Sequence, residues 1–261
     1  MKPESIEKIK ELLPTTLGSD EIRAQIAADI LRRSVFSARM ASAAYLKKIR
    51  EVCTAMSEGT INQADARAQL LTVLEQMGHS PLDEGGLKNP ASIRRLNLIL
   101  DTQTQMASSV ARLSEQTEGT LEAFPAWELT RLETRAVPRA DWAARWRAAG
   151  EACGWDGASR GPRMIALKSS PIWTELGNGA GGFSDTLGNP YPPFAYSSGL
   201  DWMDVSREDA EKLGLVESGE KATAIKGANL SPAERDIAEA IERYGFPEIG
   251  EGLDVDGLEV R

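Results

Sequence analysis

The sequence predicts a mainly α-helical chain with long N-terminal helices and a small irregular α+β core in its C-terminal half. Through the first 120 residues, apolar side chains recur every three or four positions, which is the period of an amphipathic helix. All six tryptophans lie between Trp127 and Trp202, and ten glycines fall between Gly150 and Gly199. Glycine interrupts regular elements, so the second half is expected to contain short strands and ordered loops.

These composition changes predict three regions: helices at 1–122, a compact tryptophan-, glycine- and proline-rich core at 123–215, and an acidic helix and tail at 216–261. The net charge is -9, and residues 204–261 alone hold 7 basic and 15 acidic groups. A nucleic-acid-binding domain usually has an overall basic surface. The charge balance therefore does not favour that class.

The first helical stretch runs from about Asp20 to Ser57, with apolar residues on one face. The Gly18–Asp20 segment can cap its start, and Glu58–Gly59 ends it. The pattern leaves open whether the stretch is one helix or two. A second helix is expected after Thr60, which opens a capping-box sequence, and Gly78 suits the position just beyond its end.

The third helix is expected to start at Asn89 as cap and Pro90 as first helical residue. Its apolar seam alternates steps of three and four and contains one polar residue: Leu96, Ile99, Gln103, Met106, Val110 and Leu113. Packing of this seam inside the chain is the favoured interpretation, because three heptads are short for a coiled coil. The alternative is a partner-binding seam through Leu96, Gln103, Met106 and Val110, with Gln103 fixing the register.

In the second half, Phe124–Leu129 begins either a helix or an extended segment, and Arg163–Lys168 suits a short strand. Proline and glycine make 169–200 irregular. Ser206 is expected to cap a helix over 207–213 that ends before Gly214. A last amphipathic helix is expected from Pro232 to Tyr244.

Several features argue against a catalytic chain. His79 is the only histidine and lies in a turn, so it is expected to be a capping or surface residue rather than a general base. Cys53 and Cys153 have no metal-like spacing and are expected to be free thiols in a reducing cytoplasm. The Gly177–Gly182 run matches a dinucleotide-binding pattern, but no helical period follows it. No cofactor, no metal and no transmembrane helix are expected.

Two basic strips carry the remaining binding candidates. The first follows the initial helical stretch from Arg32 to Arg50. The second interleaves arginine with tryptophan, and its candidate partner-binding residues are Trp127, Arg131, Arg135, Trp142 and Trp146. Such a mixture suits base stacking on nucleic acid, and it is equally typical of protein–protein hot spots. The balanced surrounding charge favours a protein partner, with packaged DNA as the alternative.

The segment Arg95–Ala107, with Asp101 and Thr102, resembles the signature helix of the phage head-morphogenesis proteins, the Mu F-like minor head family. The segment Glu58–Arg67 is similar to that family's helical arm. Further matching pieces follow in the family's order: Phe124–Leu129, the prolines Pro192 and Pro193, and Ser197–Val205, which includes Asp201. The resemblance spans roughly 55–215 and lacks the histidine and cysteine elements that many members carry.

The resemblance implies a non-enzymatic minor capsid or head protein of a tailed phage or prophage, placed near the portal and assisting head assembly, DNA packaging or delivery. Portal and capsid proteins would be its partners, and it would form an oligomer only within the assembled particle. It would occupy the virion head and, during assembly, the host cytoplasm. Two alternatives stay open: a helical adaptor for another phage or host protein, and an enzyme that uses the carboxylates of Glu128, Asp201 and Asp204.

Overall fold

The structure is a computed structural model that describes residues 10–80, 86–132, 139–159 and 161–224. The predicted fold class, mainly helical with a small α+β part, is confirmed. The chain divides between Ser108 and Ser109 into two compact units, at a point inside one long helix. The boundary predicted at residue 122 instead marks the start of the tryptophan-rich composition. None of the described helices is both long and apolar enough to cross a membrane.

Unit one contains two very short strands and a set of helices. Its described elements are β1 (Glu11–Leu12), α1 (Ser19–Gln25), α2 (Ala28–Arg32), β2 (Ser34–Val35), α3 (Ala43–Ser57), α4 (Gln63–Gln76) and the first part of α5 (Ile93–Ser114). The two strands pair in parallel, with Glu11 opposite Ser34. One hydrophobic cluster forms where α3, α4 and α5 pack together, and it includes Ile49, Leu70 and Leu96. A second cluster includes Leu13, Ile22 and Ile26.

The helical stretch predicted from Asp20 to Ser57 is broken into three helices and a strand. Ile26 has extended backbone, and the Ser34 hydroxyl donates to the Ile30 carbonyl at 2.6 Å as α2 ends. Strand β2 then pairs with β1, a partner that helical periodicity alone does not reveal. The predicted end at Ser57 is confirmed.

Two helix starts differ from the predicted caps. Asn62, rather than Thr60, caps α4 and accepts a hydrogen bond from the Asp65 N–H at 3.0 Å. Before α5, the Ser92 hydroxyl accepts the first-turn N–H, whereas the Asn89 side chain closes the preceding turn. In both cases a nearby side chain with the better geometry satisfies the free N–H groups of the first turn.

Unit two combines a three-stranded antiparallel sheet with short helices. Its described elements are the last turns of α5, α6 (Glu118–Ala123), β3 (Ala126–Arg131), α7 (Trp142–Ala152), β4 (Ile165–Leu167), α8 (Ile172–Asn178), β5 (Leu200–Val205) and α9 (Arg207–Lys212). The strand order is β4-β3-β5, so β4 lies at an edge. The extended alternative for Phe124–Leu129 and the strand within Arg163–Lys168 are confirmed, while α8 is a helix inside the stretch predicted to be irregular.

The strand register gives the sheet two different faces. Trp127, Leu129 and Trp202 share one face, which carries the aromatic core of unit two. Ala126, Ile165 and Val205 share the other, on which α9 packs. Side chains alternate between faces along a strand, so each strand contributes to both layers.

A fully buried lysine lies in unit one. The Lys10 ammonium donates to the Gln103 side chain at 2.7 Å and contacts the Met106 sulfur at 3.3 Å. Burial lowers its pKa from 10.5 to about 7, against a small opposing effect of Cys53. Burial also raises the pKa of the Cys53 thiol from 9.0 to about 12.

We predict that the free energy of unfolding of unit one rises with pH between about 7 and 9. Over that window the unfolded chain holds a proton on Lys10 that the folded chain has lost, a difference of about 1.4 kcal/mol per pH unit. Above pH 9 the unfolded chain also loses the Cys53 proton, which opposes the rise. Urea unfolding followed by circular dichroism measures it, since every tryptophan lies in unit two.

The control is Lys10→Met, which replaces the amine with an apolar chain of similar length. This variant is expected to lose the rise between pH 7 and 9 and to be more stable than the parent at pH 7. An unchanged pH profile in Lys10→Met would show that Lys10 does not cause the dependence.

Candidate functional site

An open, mostly apolar groove lies beside strand β4 in unit two. Its volume is about 520 Å³, within the range of about 300–1,000 Å³ that is usual for ligand pockets. Its lining residues are Trp155, Gly157, Gly161, Pro162, Arg163, Ile165, Leu167, Ser169, Ser170, Pro171, Leu213, Gly214 and Leu215. None of these residues is among the predicted site residues, because the groove forms only when distant segments fold together.

The free edge of β4 forms one side of the groove. The Leu129 N–H donates to the Met164 carbonyl and the Lys168 N–H to the Pro125 carbonyl. Residues 164, 166 and 168 therefore direct their backbone groups towards β3. The backbone groups of Ile165 and Leu167 therefore point away from the sheet. The Leu167 carbonyl accepts the Trp173 indole N–H at 2.9 Å and the Ser170 N–H at 3.0 Å.

This arrangement leaves the backbone of Ile165 unpaired. Among the described residues, neither its N–H nor its carbonyl forms a hydrogen bond at the free edge. The strand ends at Leu167, and the turn into Ser170 covers the edge beyond it. One residue thus offers a donor and an acceptor beside the apolar walls of the groove.

Trp155 forms one wall of the groove, and its ring packs directly against the backbone of Gly157. A Cβ atom at Gly157 would lie 2.2 Å from the Trp155 ring, so the ring occupies the space that any other residue would fill. The same indole meets Trp146 edge to face, with 6.0 Å between ring centroids. Trp155 therefore connects the groove to the aromatic core.

The opposite wall follows the end of α9. Gly214 has φ +66° as predicted for a residue beyond the helix, and the Leu215 N–H donates back to the Ala210 carbonyl. This cap directs the chain across the sheet, where Leu215 packs on the apolar layer. Leu213 stays 48% exposed, which leaves a large apolar side chain at the rim.

The groove carries little net charge. Arg163 is the one charged residue among its lining residues, and it donates to both oxygens of Glu128, at 2.9 Å from Nε and 2.5 Å from its terminal nitrogen. This hydrogen-bonded pair raises the pKa of Arg163. The carboxylate balances the charge of Arg163 at the surface, where its side chain is 57% exposed, and Ser169 and Ser170 add only hydroxyl groups.

The tryptophans predicted to bind a partner are in the interior. Trp127 stacks on Trp202, with 3.6 Å between centroids and 9° between planes, and Trp146 packs against Trp173. Trp127, Trp142 and Trp146 are at most 4% exposed. The partner-contact hypothesis for these three is therefore corrected, because they form the core of unit two.

Three further arginines of the second strip are Arg139, Arg145 and Arg147, and the first two are bound to a carboxylate. Arg145 donates to Asp185 at 2.8 Å and to Asp141 at 2.9 Å, and Arg139 pairs with the other oxygen of Asp185. Arg131 donates to the Ser198 carbonyl at 3.1 Å. Arg135, the remaining candidate, lies outside the described residues. The guanidinium groups of Arg131, Arg139 and Arg145 are thus engaged within the chain, whereas Arg147 is exposed on α7.

The seam of α5 is internal as well. Leu96, Gln103, Met106 and Val110 are between 0% and 6% exposed. Gln103 and Met106 contact the buried Lys10, and Leu96 belongs to the core of unit one. These residues pack inside the chain, as the favoured interpretation predicts, and they are too buried to form a partner-binding seam.

The residues singled out by the family resemblance have structural contacts. Asp101 accepts a hydrogen bond from Gln63 at 2.7 Å, which joins α5 to α4, and Thr102 is buried. Pro192 and Pro193 are also buried, and the Pro193 carbonyl accepts from Asn189 at 2.9 Å.

The carboxylates of the enzyme alternative are all paired. Glu128 binds Arg163, Asp201 lies 3.3 Å from Arg112, and Asp204 lies 2.8 Å from Lys168. The described residues hold no cluster of three or more histidine, cysteine, aspartate or glutamate side chains that suits a metal ion.

Two further motifs have structural positions. In the Gly177–Gly182 run, Gly177 belongs to the end of α8, where a Cβ would lie 1.8 Å from the Asn189 carbonyl oxygen. The backbone N–H of His79 donates to the Leu74 carbonyl in the turn after α4, where Gly78 has φ +82° as predicted. Both motifs have packing or capping contacts in this structure.

Comparison of the chain with protein-family models, curated proteins and solved structures finds no match. No activity is therefore transferred from a relative.

The Arg139–Asp185–Arg145 cluster provides a test of unit two. Burial alone would raise the pKa of Asp185, but the hydrogen bond from Arg145 and the charge of Arg139 lower it overall. We predict that Asp185→Asn destabilises unit two by about 1–3 kcal/mol, a range reduced because the carboxylate is partly exposed. Urea unfolding followed by tryptophan fluorescence measures this change.

Glu208→Gln is the matched control, since its ion pair with Lys212 is exposed and is expected to contribute nothing measurable. Equal stability of Asp185→Asn and Glu208→Gln would contradict the proposed role of the cluster.

Proposed function

We propose that this chain is a non-enzymatic assembly protein that acts by binding other proteins, and specifically a minor head protein of a tailed phage or prophage. It would act near the portal in head morphogenesis or in DNA packaging and delivery. The observation that carries the binding role is the open apolar groove beside β4, with Leu213 exposed at its rim.

The chemistry of the groove suits protein docking better than catalysis. A catalytic pocket usually brings together several polar groups with shifted pKa values. Here two serines and one arginine face apolar walls, and the arginine is already paired with Glu128. Docking interfaces, by contrast, are often centred on aromatic anchors such as Trp155.

The phage assignment rests on the sequence resemblance. The order of the parts is compatible with it: a helical unit precedes a smaller mixed unit, as the arm and core of the family would. Portal and capsid proteins are the partners proposed. Protein is favoured over packaged DNA for the groove, because its one cation is paired with a carboxylate.

The test is quantitative mass spectrometry of purified particles from the phage or prophage that encodes this chain. We expect a few copies per particle, counted against the portal and the major capsid protein. An abundant host enzyme measured in the same sample controls for carry-over of cytoplasm. Absence from both precursor shells and mature particles would contradict the proposal.

A further inference from the structure

We propose that the groove binds an extended, apolar segment of a partner protein, which adds to the sheet as a fourth strand at the free edge of β4. The inference rests on the proposed function in one respect, because it assumes that the groove's occupant is another protein. It goes further by specifying the conformation and the chemistry of the bound segment.

The backbone of Ile165 determines the conformation. Its N–H and carbonyl face the free edge without partners among the described residues. In an added antiparallel strand, the residue opposite Ile165 can accept a hydrogen bond from the Ile165 N–H and donate one to the Ile165 carbonyl. A bound helix keeps its own backbone groups paired internally, so it would leave both groups of Ile165 without partners.

The lining of the groove determines the side chains. Alternate residues of an added strand point to the same side and repeat about every 6.6 Å, so more than one of them reaches the same pocket. The surfaces that they meet are Trp155, Leu167, Leu213 and Leu215. Leu167 and Leu215 lie on the face of Ile165, so apolar side chains at the residue opposite Ile165 and at the positions two residues away from it would be buried.

The charges favour a neutral segment. Arg163 is bonded to both oxygens of Glu128, and the other lining residues are uncharged. A charged residue of the partner would lose water there without gaining an ion pair. The hydroxyl groups of Ser169 and Ser170 also line the groove, and they can form a hydrogen bond with a polar residue of the bound segment.

The experiment begins with random twelve-residue peptides displayed on a surface and selected on the full chain. The enriched sequences are expected to alternate apolar and small or polar residues. Synthetic copies are then methylated at one backbone nitrogen at a time. Methylation at the residue opposite Ile165 removes the donor and is expected to weaken binding by about tenfold or more.

The peptide carries its own control. The N–H groups of the two neighbouring residues point away from β4, so methylation there is expected to change the affinity little. The protein is identical in both measurements, so misfolding cannot explain a difference. Peptides that bind equally well with every nitrogen methylated would overturn strand addition.

Two protein variants locate the site. Leu213→Glu places a charge at the rim and is expected to abolish binding of the enriched peptides. Leu132→Glu changes another exposed leucine, 53% exposed and outside the groove, and is expected to bind like the parent. Equal loss or equal retention of binding in the two variants would overturn the assignment of the site.

The remaining outcomes are also decisive. No enrichment of peptides above the Leu213→Glu background would overturn the inference. A dimer in sedimentation velocity that Leu213→Glu dissociates would also overturn it, since a second copy would then occupy the groove. The chain could still be present in phage particles in either case, so particle mass spectrometry tests the proposed function separately.

Discussion

The stack of Trp127 on Trp202 is the contact on which unit two depends. It joins β3 to β5 on one face of the sheet, with the ring planes 9° apart. Trp173 from α8 meets both rings edge to face. Edge-to-face pairs such as those that Trp173 makes contribute about 0.5–1.5 kcal/mol beyond the burial of their surfaces. A helix and two strands are thus held by a single aromatic cluster.

The groove is a consequence of the same cluster. Trp146 contacts Trp173 on one side and Trp155 on the other, so the wall of the groove is continuous with the core. On the opposite face, Ile165 and Val205 hold the chain that follows α9. The free edge of β4 lies between these two layers, because β4, a strand of three residues, is the edge strand of the sheet. The packed layers therefore present a short edge at which the backbone of Ile165 has no partner among the described residues.

Much of the fold follows from local pattern. The stripe of α5 and the glycines after α4 and α9 are visible in the sequence, because helical period and positive φ are local properties. The break between α1 and α3 is not, since it depends on β2 pairing with a strand more than twenty residues earlier.

The groove escaped prediction for the same reason: its walls come from segments separated by tens of residues. Tryptophan interleaved with arginine predicts a binding surface, but ring packing places Trp146 in the interior and pairing with Asp185 does the same for Arg145. Only the Gly157–Gly161–Pro162 spacing and the leucines that flank Gly214 marked the site, and neither pattern is specific.

The most direct test of the account is photo-crosslinking from the rim of the groove during head assembly. A photoreactive amino acid replaces Leu213 in one sample and Leu132 in another, and the crosslinked partners are identified in assembling particles. The account predicts that Leu213 crosslinks to an apolar segment of a portal or capsid protein and that Leu132 does not. Equal crosslinking from both positions, or none from Leu213 in particles that contain the chain, would contradict it.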